Sequence, residues 1–277
     1  MKHQEGHFKG LKDFDIYYQG WLPEGEPQAV LLVAHGMGEH SGRYGNVVNH
    51  FVPQGYAVYA PDHRGHGKSE GQRVYVERFG HFLDDLKTFF DMVRGWHPDL
   101  KIFLLGHSMG GAVSIAYALR HQDELEGLIL SGAAIKAGED ISPLLLLVGK
   151  ILSVILPKMG VAALDISTLS RDPETVAAYN ADPLVHQGKM TARLGAETIA
   201  TLESFSKQAS QLRLPILIMH GGADKITDPQ GSQWLYETVS SAVKTVKIYE
   251  GYYHEIFNDL GREQVLADVE TWLAAHK

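Results

Sequence analysis

The stretch "IFLLGHSMGG", residues 102–111, decides the fold class because an apolar run there ends in a serine that stands among glycines. The run has the length and composition of a buried strand, and the helix-like stretch "MGGAVSIAYALRHQ" overlaps its end without a linker. On such a tight strand-to-helix turn the serine oxygen stands clear of the backbone, and Gly106 and Gly110 leave space around it. Ser108 is therefore a candidate nucleophile, or part of an ordinary turn if the chain offers no base and acid for it.

Similar apolar runs alternate with helix-like stretches along the chain. This pattern is typical of βαβ units, which build a mostly parallel central sheet flanked by helices. The expected strands are Ala29–Ala34, Ala57–Ala60, Ile102–Leu105, Leu128–Ser131, Ile216–His220 and Val246–Tyr249. Before them, "FDIYYQGWLP" predicts an antiparallel edge strand, and residues 79–97 and 262–276 have apolar residues at helical spacing. The sequence thus predicts the α/β class.

The segment from about Gly138 to Leu212 interrupts this alternation, because it is helical in character and contains no clear strand. We therefore expect a core made of residues 1–137 and 213–277, with residues 138–212 inserted as a helical cap, or lid. The cap opens with "ISPLLLLVGKILSVILP", which is shorter than the ~20 apolar residues of a membrane-spanning helix. It is either a buried core helix or a cap helix that lines a lipid pocket and dips into an interface. The second alternative makes Leu145 and Leu146 substrate-binding residues.

Composition excludes several classes of function. The formal net charge of −8, without a basic cluster, argues against a nucleic-acid partner. The chain has no cysteine, and none of its 15 histidines forms an HExxH pair, so we expect neither a metal site nor a cofactor. The first 15 residues lack the apolar core of a signal peptide. Together these features predict a cytoplasmic protein that contacts membranes at most peripherally.

Two later stretches supply the acid and the base that Ser108 needs. "PILIMHGGADKITDP" at 215–229 places Asp224 after a strand and a glycine turn, with Asp228 as a rival acid. "VKIYEGYYHEIFND" at 246–259 places His254 after the next strand. The chain order serine, acid, histidine is the order found in sheets that carry this kind of serine turn. Other histidines at strand ends, such as His220, are more readily explained as structural hydrogen-bonding groups.

Two backbone amides are candidates for stabilising a negative oxygen in the transition state. Met109 begins the helix after Ser108, so its N–H group points at the site. Met37 lies in "AHGMGEHSGRY", the loop after an early strand, and can supply the second N–H. A phosphate-binding loop is not indicated, because "GHSMGG" lacks the lysine of that motif. The residues therefore favour serine chemistry.

Five stretches taken together resemble a known family, the α/β-hydrolases, and more narrowly the monoacylglycerol lipases and related lysophospholipases. They are "HGMGEHSGRY" at 35–44, "PDHRGHGKSEG" at 61–71, "GHSMGG" at 106–111, "HGGADKITDP" at 220–229 and "YHEIFND" at 253–259. The resemblance covers nearly the whole chain. It implies the α/β-hydrolase fold with a cap, Ser108, Asp224 and His254 as the catalytic triad, and the amides of Met37 and Met109 as the oxyanion hole.

The resemblance also implies roles at the polar end of the pocket. It implies that Glu39 and Arg43 shape the place where a glycerol head group sits; the alternative for these two residues is a structural ion pair. Asp62 and Arg64, in the loop after an early strand, are expected to be scaffold residues. The sequence departs from some relatives at Phe257, where they carry a second histidine, and this departure affects head-group recognition.

These observations predict a serine ester hydrolase whose substrate is a single-chain lipid, namely a monoacylglycerol cleaved to fatty acid and glycerol. A general short-chain carboxylesterase would share the same triad and differ only in its substrates. A lysophospholipase would need room for a charged phosphate, which Glu39 disfavours unless Arg43 offsets its charge. A non-catalytic binding module on the same fold is the remaining alternative, although such proteins usually lose a member of the triad.

Overall fold

An eight-stranded β-sheet organises residues 1–137 and 143–277, the part of the chain that this computed structural model describes. The strands, in chain order, are β1 (Lys2–Lys9), β2 (Asp15–Leu22), β3 (Ala29–Ala34), β4 (Tyr56–Pro61), β5 (Ile102–His107), β6 (Gly127–Ser131), β7 (Gly160–Ala162), β8 (Met190–Thr191), β9 (Ile216–Gly221) and β10 (Lys244–Tyr249). The large sheet has the order β1-β2-β4-β3-β5-β6-β9-β10, in which β1 and β2 are antiparallel to their neighbours and the other strands run parallel.

Helices cover both faces of this sheet. In chain order they are α1 (Gly45–Phe51), α2 (Gly80–Trp96), α3 (Met109–His121), α4 (Pro143–Ile155), α5 (Pro173–Ala181), α6 (Ala192–Gln208), α7 (Pro229–Thr238) and α8 (Arg262–His276). On one face, buried side chains such as Phe89 of α2 and Tyr117 of α3 pack on the sheet. On the other face, Phe51 of α1 and Trp272 of α8 do the same. Strands buried on both faces explain the continuous apolar runs of the sequence.

The fold class predicted from the sequence is confirmed, as are the six predicted parallel strands and the antiparallel strand β2. The edge position predicted for β2 is wrong, because β1 pairs with its outer side and forms the edge. The sequence did not predict β1, because its pattern "KHQEGHFK" is mostly polar and, as an edge strand, it buries only Phe8. Helices cover this end of the sheet poorly, since every β1 residue except Phe8 is at least partly exposed, so β1 carries no continuous apolar run.

Residues 143–212 lie between β6 and β9 and contain α4, α5 and α6. The expectation that this segment has no strand is wrong, since β7 and β8 form an antiparallel pair there. With three and two residues, these strands are too short to show a period in the sequence. Residues 138–142, at the expected start of the cap, lie outside the described residues. The division into core and cap stays a prediction.

Within the two described ranges, no helix combines the length and the apolar character that a membrane span needs. The apolar helix α4 has 13 residues.

The parallel strands all present their carboxyl ends at one edge of the sheet. The loops after β3, β5, β6, β9 and β10 therefore meet there. In open parallel sheets this edge is where ligands bind. The serine, the aspartate and the histidine singled out in the sequence all follow strands that end at this edge.

Candidate active site

Ser108 occupies the sharp turn between β5 and α3. Its backbone has φ 52° and ψ −121°, a region that residues with a side chain rarely adopt. The turn is possible because the neighbouring backbone is very close: a Cβ atom on Gly110 would lie 2.1 Å from the carbonyl oxygen of Ala34. The Ser108 side chain does not cap α3, so its hydroxyl is not committed to the helix backbone. The turn thus presents Oγ at the carboxyl edge of the sheet.

Asp224 lies in the loop after β9, buried and surrounded by hydrogen-bond donors. Its Oδ1 accepts from the backbone N–H groups of Ile226 at 2.7 Å and Thr227 at 3.1 Å. Its Oδ2 accepts from His254 Nδ1 at 2.7 Å and lies 3.1 Å from His220 Nε2. Burial raises the pKa of the Asp224 carboxyl, but the hydrogen bonds from His220 and His254 outweigh burial and hold this pKa well below its usual range. Asp224 is therefore ionised throughout the neutral range.

The ionised Asp224 fixes the tautomer of His254. A carboxylate can only accept hydrogen bonds, so His254 Nδ1 carries the hydrogen and Nε2 is left as an acceptor. The ring of His254 lies 4.7 Å, centroid to centroid, from that of His107, the residue before Ser108. In the described part of the chain no hydrogen bond joins Ser108 Oγ to His254 Nε2. Such bonds are often long in unliganded enzymes and shorten when substrate binds.

Asp228, the rival acid, has a different position. Its side chain accepts from the backbone N–H of Gln230 at 2.9 Å and caps the N-terminus of α7. Asp224, and not Asp228, is therefore the carboxylate that contacts His254. The Asp228 side chain stabilises the N-terminus of α7, the helix that follows the loop.

The two predicted amide donors lie beside Ser108. Met109 is the first residue of α3, and the loop that carries Met37 is close, since a Cβ atom on Gly36 would be 3.2 Å from Ser108 Cβ. Within residues 1–137 and 143–277, neither the Met37 nor the Met109 N–H group donates to another protein atom. Both donors are thus available to a ligand oxygen. Preorganised donors of this kind are what a developing oxyanion needs.

Glu39 and Arg43 form a buried ion network behind this loop. Arg43 Nη1 donates to Glu39 Oε2 at 3.0 Å, and Arg43 Nη2 donates to Glu255 Oε2 at 2.9 Å. Burial lowers the pKa of Arg43, but the two carboxylates outweigh burial and raise it; burial raises the pKa of Glu255, and Arg43 lowers it overall. The space beside them, also lined by Phe257, holds about 10 Å³, the room of one water molecule.

Glu39 and Arg43 therefore form an ion pair, which was the alternative to a role in binding a head group. Glu39 is further saturated by the Gly36 N–H at 2.6 Å and the Tyr44 hydroxyl at 2.9 Å. A glycerol head group does not fit between these side chains as they stand, and their role in binding it stays a prediction. Sequence reasoning did not identify Glu255 as the third member, because Glu255 lies far from Arg43 in the chain.

Asp62 and Arg64 have the contacts of scaffold residues. Asp62 accepts from the backbone N–H groups of Ser41 and Lys68, both at 2.8 Å. Arg64 pairs with buried Asp85 through Nε at 2.6 Å. The loop after β4 is thereby tied to the loop that carries Met37.

A cavity of about 170 Å³, lined by both apolar and polar residues, opens next to Met37, between this loop and residues 163–190. The residues that line it are Met37, Gly38, Val74, Ala163, Leu164, Ile166, Tyr179, His186, Gln187, Gly188 and Met190. Leu146 is half-buried and is not among these lining residues, and the Leu145 side chain lies outside the described residues. Substrate binding by Leu145 and Leu146 stays a prediction, whereas Leu164 and Ile166 are cavity residues that the sequence did not indicate.

Among the described residues, no group of three or more histidine, aspartate or glutamate side chains is arranged to hold a metal ion.

The chain is similar to known proteins over nearly its whole length. A family model described as "Serine aminopeptidase, S33" matches residues 25–261. A monoacylglycerol lipase of Mycolicibacterium smegmatis is 40% identical, over 98% of this chain and 97% of that protein. A monoglyceride lipase of Mus musculus is 37% identical, over 94% of this chain and 86% of that protein. The crystal structure of Paleococcus ferrophilus monoacylglycerol lipase is 31% identical and superposes with a TM-score of 0.84, each chain being covered completely.

Proposed function

Because this chain belongs to the serine aminopeptidase S33 family of α/β-hydrolases, we propose that it hydrolyses the ester bond of single-chain lipids, and of monoacylglycerols in particular. The observation that carries this proposal is the cavity at Met37, a residue whose loop lies beside the Ser108 turn and whose N–H group donates to no other atom of the described residues. An acyl chain in this cavity would bring its ester carbonyl to Ser108 and to the two amides. The lipase relatives, which span nearly the whole chain, support the same substrate class.

In the proposed reaction, His254 Nε2 takes the proton of Ser108 Oγ as this oxygen attacks the ester carbonyl carbon. The carbonyl oxygen becomes negative and accepts from the N–H groups of Met37 and Met109, each donor contributing ~3 to 4 kcal/mol to the transition state. The intermediate then expels the glycerol oxygen, which takes the proton from His254. Asp224 holds the ring in the required tautomer and stabilises its charged form.

The second half of the reaction releases the fatty acid. Water gives a proton to His254 Nε2 and attacks the acyl carbon, the oxyanion forms again, and Ser108 Oγ leaves with the proton. Each proton that His254 accepts is returned in the same half-reaction, so the enzyme ends as it began. No cofactor takes part in these steps.

The cap offers a route for such a substrate. Large apolar side chains are exposed along one side of α4 and beyond it: Leu144, Leu147, Val148, Ile151, Val154, Ile155, Leu156, Met159, Val161 and Leu164. Exposed apolar patches of this extent mark binding surfaces. Leu164 belongs both to this apolar cap surface and to the lining of the cavity. We therefore propose that the apolar cap surface rests on a lipid surface and that the acyl chain enters past Leu164.

This contact predicts an effect on vesicle binding. Leu147 and Val154, which are 56% and 73% exposed, lie two helical turns apart on α4. Replacing both with serine is expected to weaken binding to phosphatidylcholine vesicles by roughly 30-fold or more, because each residue loses about 1 kcal/mol or more of apolar burial. Hydrolysis of long-chain monoacylglycerol in vesicles should fall, and hydrolysis of a short soluble ester should be unchanged.

A matched control for the vesicle experiment is available at the β10 edge of the sheet. Val243 and Ile248 are each 43% exposed in and next to the edge strand β10, so replacing both with serine removes similar apolar surface away from the cap. This control should bind vesicles in flotation, and hydrolyse both the vesicle and the soluble substrate, as well as the wild type does. Equal losses on soluble and vesicle substrates in the cap variant would show that α4 acts in folding and would overturn the surface contact.

The substrate class is tested with matched acyl esters of glycerol, lysophosphatidylcholine and p-nitrophenol, together with an amino-acid p-nitroanilide, across chain lengths. We expect the highest kcat/KM on monoacylglycerols and loss of that activity in Ser108→Ala. Preference for lysophosphatidylcholine would favour the lysophospholipase alternative. Activity confined to short activated esters, or to the anilide, would contradict the lipid assignment while leaving serine chemistry in place.

A further inference from the structure

His220, the next-to-last residue of β9, is completely buried beside Asp224. Its Nε2 lies 3.1 Å from Asp224 Oδ2 and 3.3 Å from the Thr227 carbonyl oxygen. Its Nδ1 lies 2.7 Å from the hydroxyl of Ser232 in α7, which is also buried. Carboxylate and carbonyl oxygens only accept, so Nε2 carries a hydrogen and, in the neutral ring, Ser232 donates to Nδ1.

We propose that His220 is a positioning residue that fixes the Asp224 carboxylate for His254. The proposal rests on the proposed function, because it assigns His220 a part in the same reaction. His220 Nε2 lies 3.1 Å, within ion-pair distance, from Oδ2, which is also the oxygen that binds His254 Nδ1 at 2.7 Å. A second imidazole thus holds the oxygen on which the tautomer of His254 depends.

The Thr227 hydroxyl cannot hold the Asp224 carboxylate in place alone. Its Oγ1 lies 2.9 Å from Asp224 Oδ2 and 2.9 Å from the Gly132 carbonyl oxygen, but it has only one hydrogen to donate. Oγ1 also lies 3.1 Å from His220 Nε2, from which it can accept. With His220 as a donor, both the carboxylate and the Gly132 oxygen are satisfied. Without it, one of these buried acceptors loses a partner, so Asp224 Oδ2 keeps its place beside His254 but is held by fewer donors and is positioned less precisely.

His220 also divides the charge of the carboxylate. Each N–H group on Oδ2 draws on the same negative charge, so losing the His220 donor leaves more of it to stabilise a protonated His254. The other titratable groups facing His254 are His107, whose ring is 4.7 Å away, and Glu255, which is paired with Arg43. These groups are unchanged in a His220 variant. The acidic limb of the kcat/KM profile should then move to higher pH.

The test compares His220→Leu, which removes the donor, with His220→Gln, whose amide N–H reaches the place of Nε2. For His220→Leu we expect kcat to fall roughly 10- to 100-fold with little change in KM, and the acidic limb to move up in pH. His220→Gln should restore most of kcat and return the acidic limb of the kcat/KM profile to its wild-type pH. Ser232→Ala, a milder change, should shift both quantities in the same direction as His220→Leu by less.

A second readout does not depend on turnover. The ¹H NMR spectrum should show downfield imidazole N–H signals from His254 and His220, and His220→Gln should remove one and move the other. If the remaining signal does not move, and if the leucine and glutamine variants have equal kcat and an unshifted limb, His220 only fills space and the proposal is overturned. Hydrolysis that survives Ser108→Ala would instead overturn the proposed function, and the NMR result would still decide whether His220 acts on Asp224.

Discussion

Replacing Ser108 with glycine is expected to abolish ester hydrolysis and to make the protein more stable. The Ser108 backbone has φ 52° and ψ −121°, a conformation that costs ~1 to 3 kcal/mol for a residue with a side chain. Glycine adopts it freely and loses up to about 1 kcal/mol in chain entropy, so we expect a net gain of about 1 kcal/mol. For a chain of this size the Tm should rise by about 2 °C. Loss of the nucleophile should lower kcat by about 10⁶-fold.

Ser108→Ala is the matched control for this prediction. It loses the hydroxyl and the activity to the same extent but keeps Cβ, so its backbone remains strained and its Tm should stay near that of the wild type. Calorimetry of the three proteins and hydrolysis of a monoacylglycerol give the two readouts. If Gly and Ala variants melt at the same temperature, the turn is not strained; if either retains hydrolysis, another residue is the nucleophile.

The sequence was most informative where one local pattern determines one local structure. Ile102–His107 is apolar on both faces and is followed by a serine and small residues, so strand, turn and helix could all be predicted. Asp224 and His254 could be selected because each follows such a strand. Parallel strands end at one edge, and chain order alone therefore brings these three residues together.

Contacts between distant parts of the chain could not be predicted in this way. Glu255 pairs with Arg43 across 212 positions, and nothing in either local sequence identifies the partner. The same holds for Leu164, which joins the cavity only because the segment that carries it folds over Met37. The apolar helix expected at the start of this segment is present as α4, but its exposed side chains depend on how it packs against the rest of the segment. Such features follow from tertiary packing, which sequence periodicity does not encode.

Replacing Asp224 with asparagine is expected to lower kcat by about 10⁴-fold while leaving the fold intact. The oxygen of the new amide should stay with the two backbone N–H groups, of Ile226 and Thr227, that now bind Oδ1. The amide NH₂ group then faces His254 Nδ1 and donates to it. His254 must carry its hydrogen on Nε2 instead, so it cannot accept the proton of Ser108.

The same substitution also places an NH₂ group 3.1 Å from the His220 Nε2–H group, where two donors oppose each other. Asp228→Asn is the matched control, since it makes the same chemical change four residues away on a side chain that caps α7, a task that asparagine performs equally well. We expect the control to keep wild-type kcat and Tm. Steady-state kinetics with a monoacylglycerol decide the matter: a loss of less than about 10-fold in Asp224→Asn would mean that the Asp224–His254 hydrogen bond does not set the tautomer on which the proposed mechanism depends.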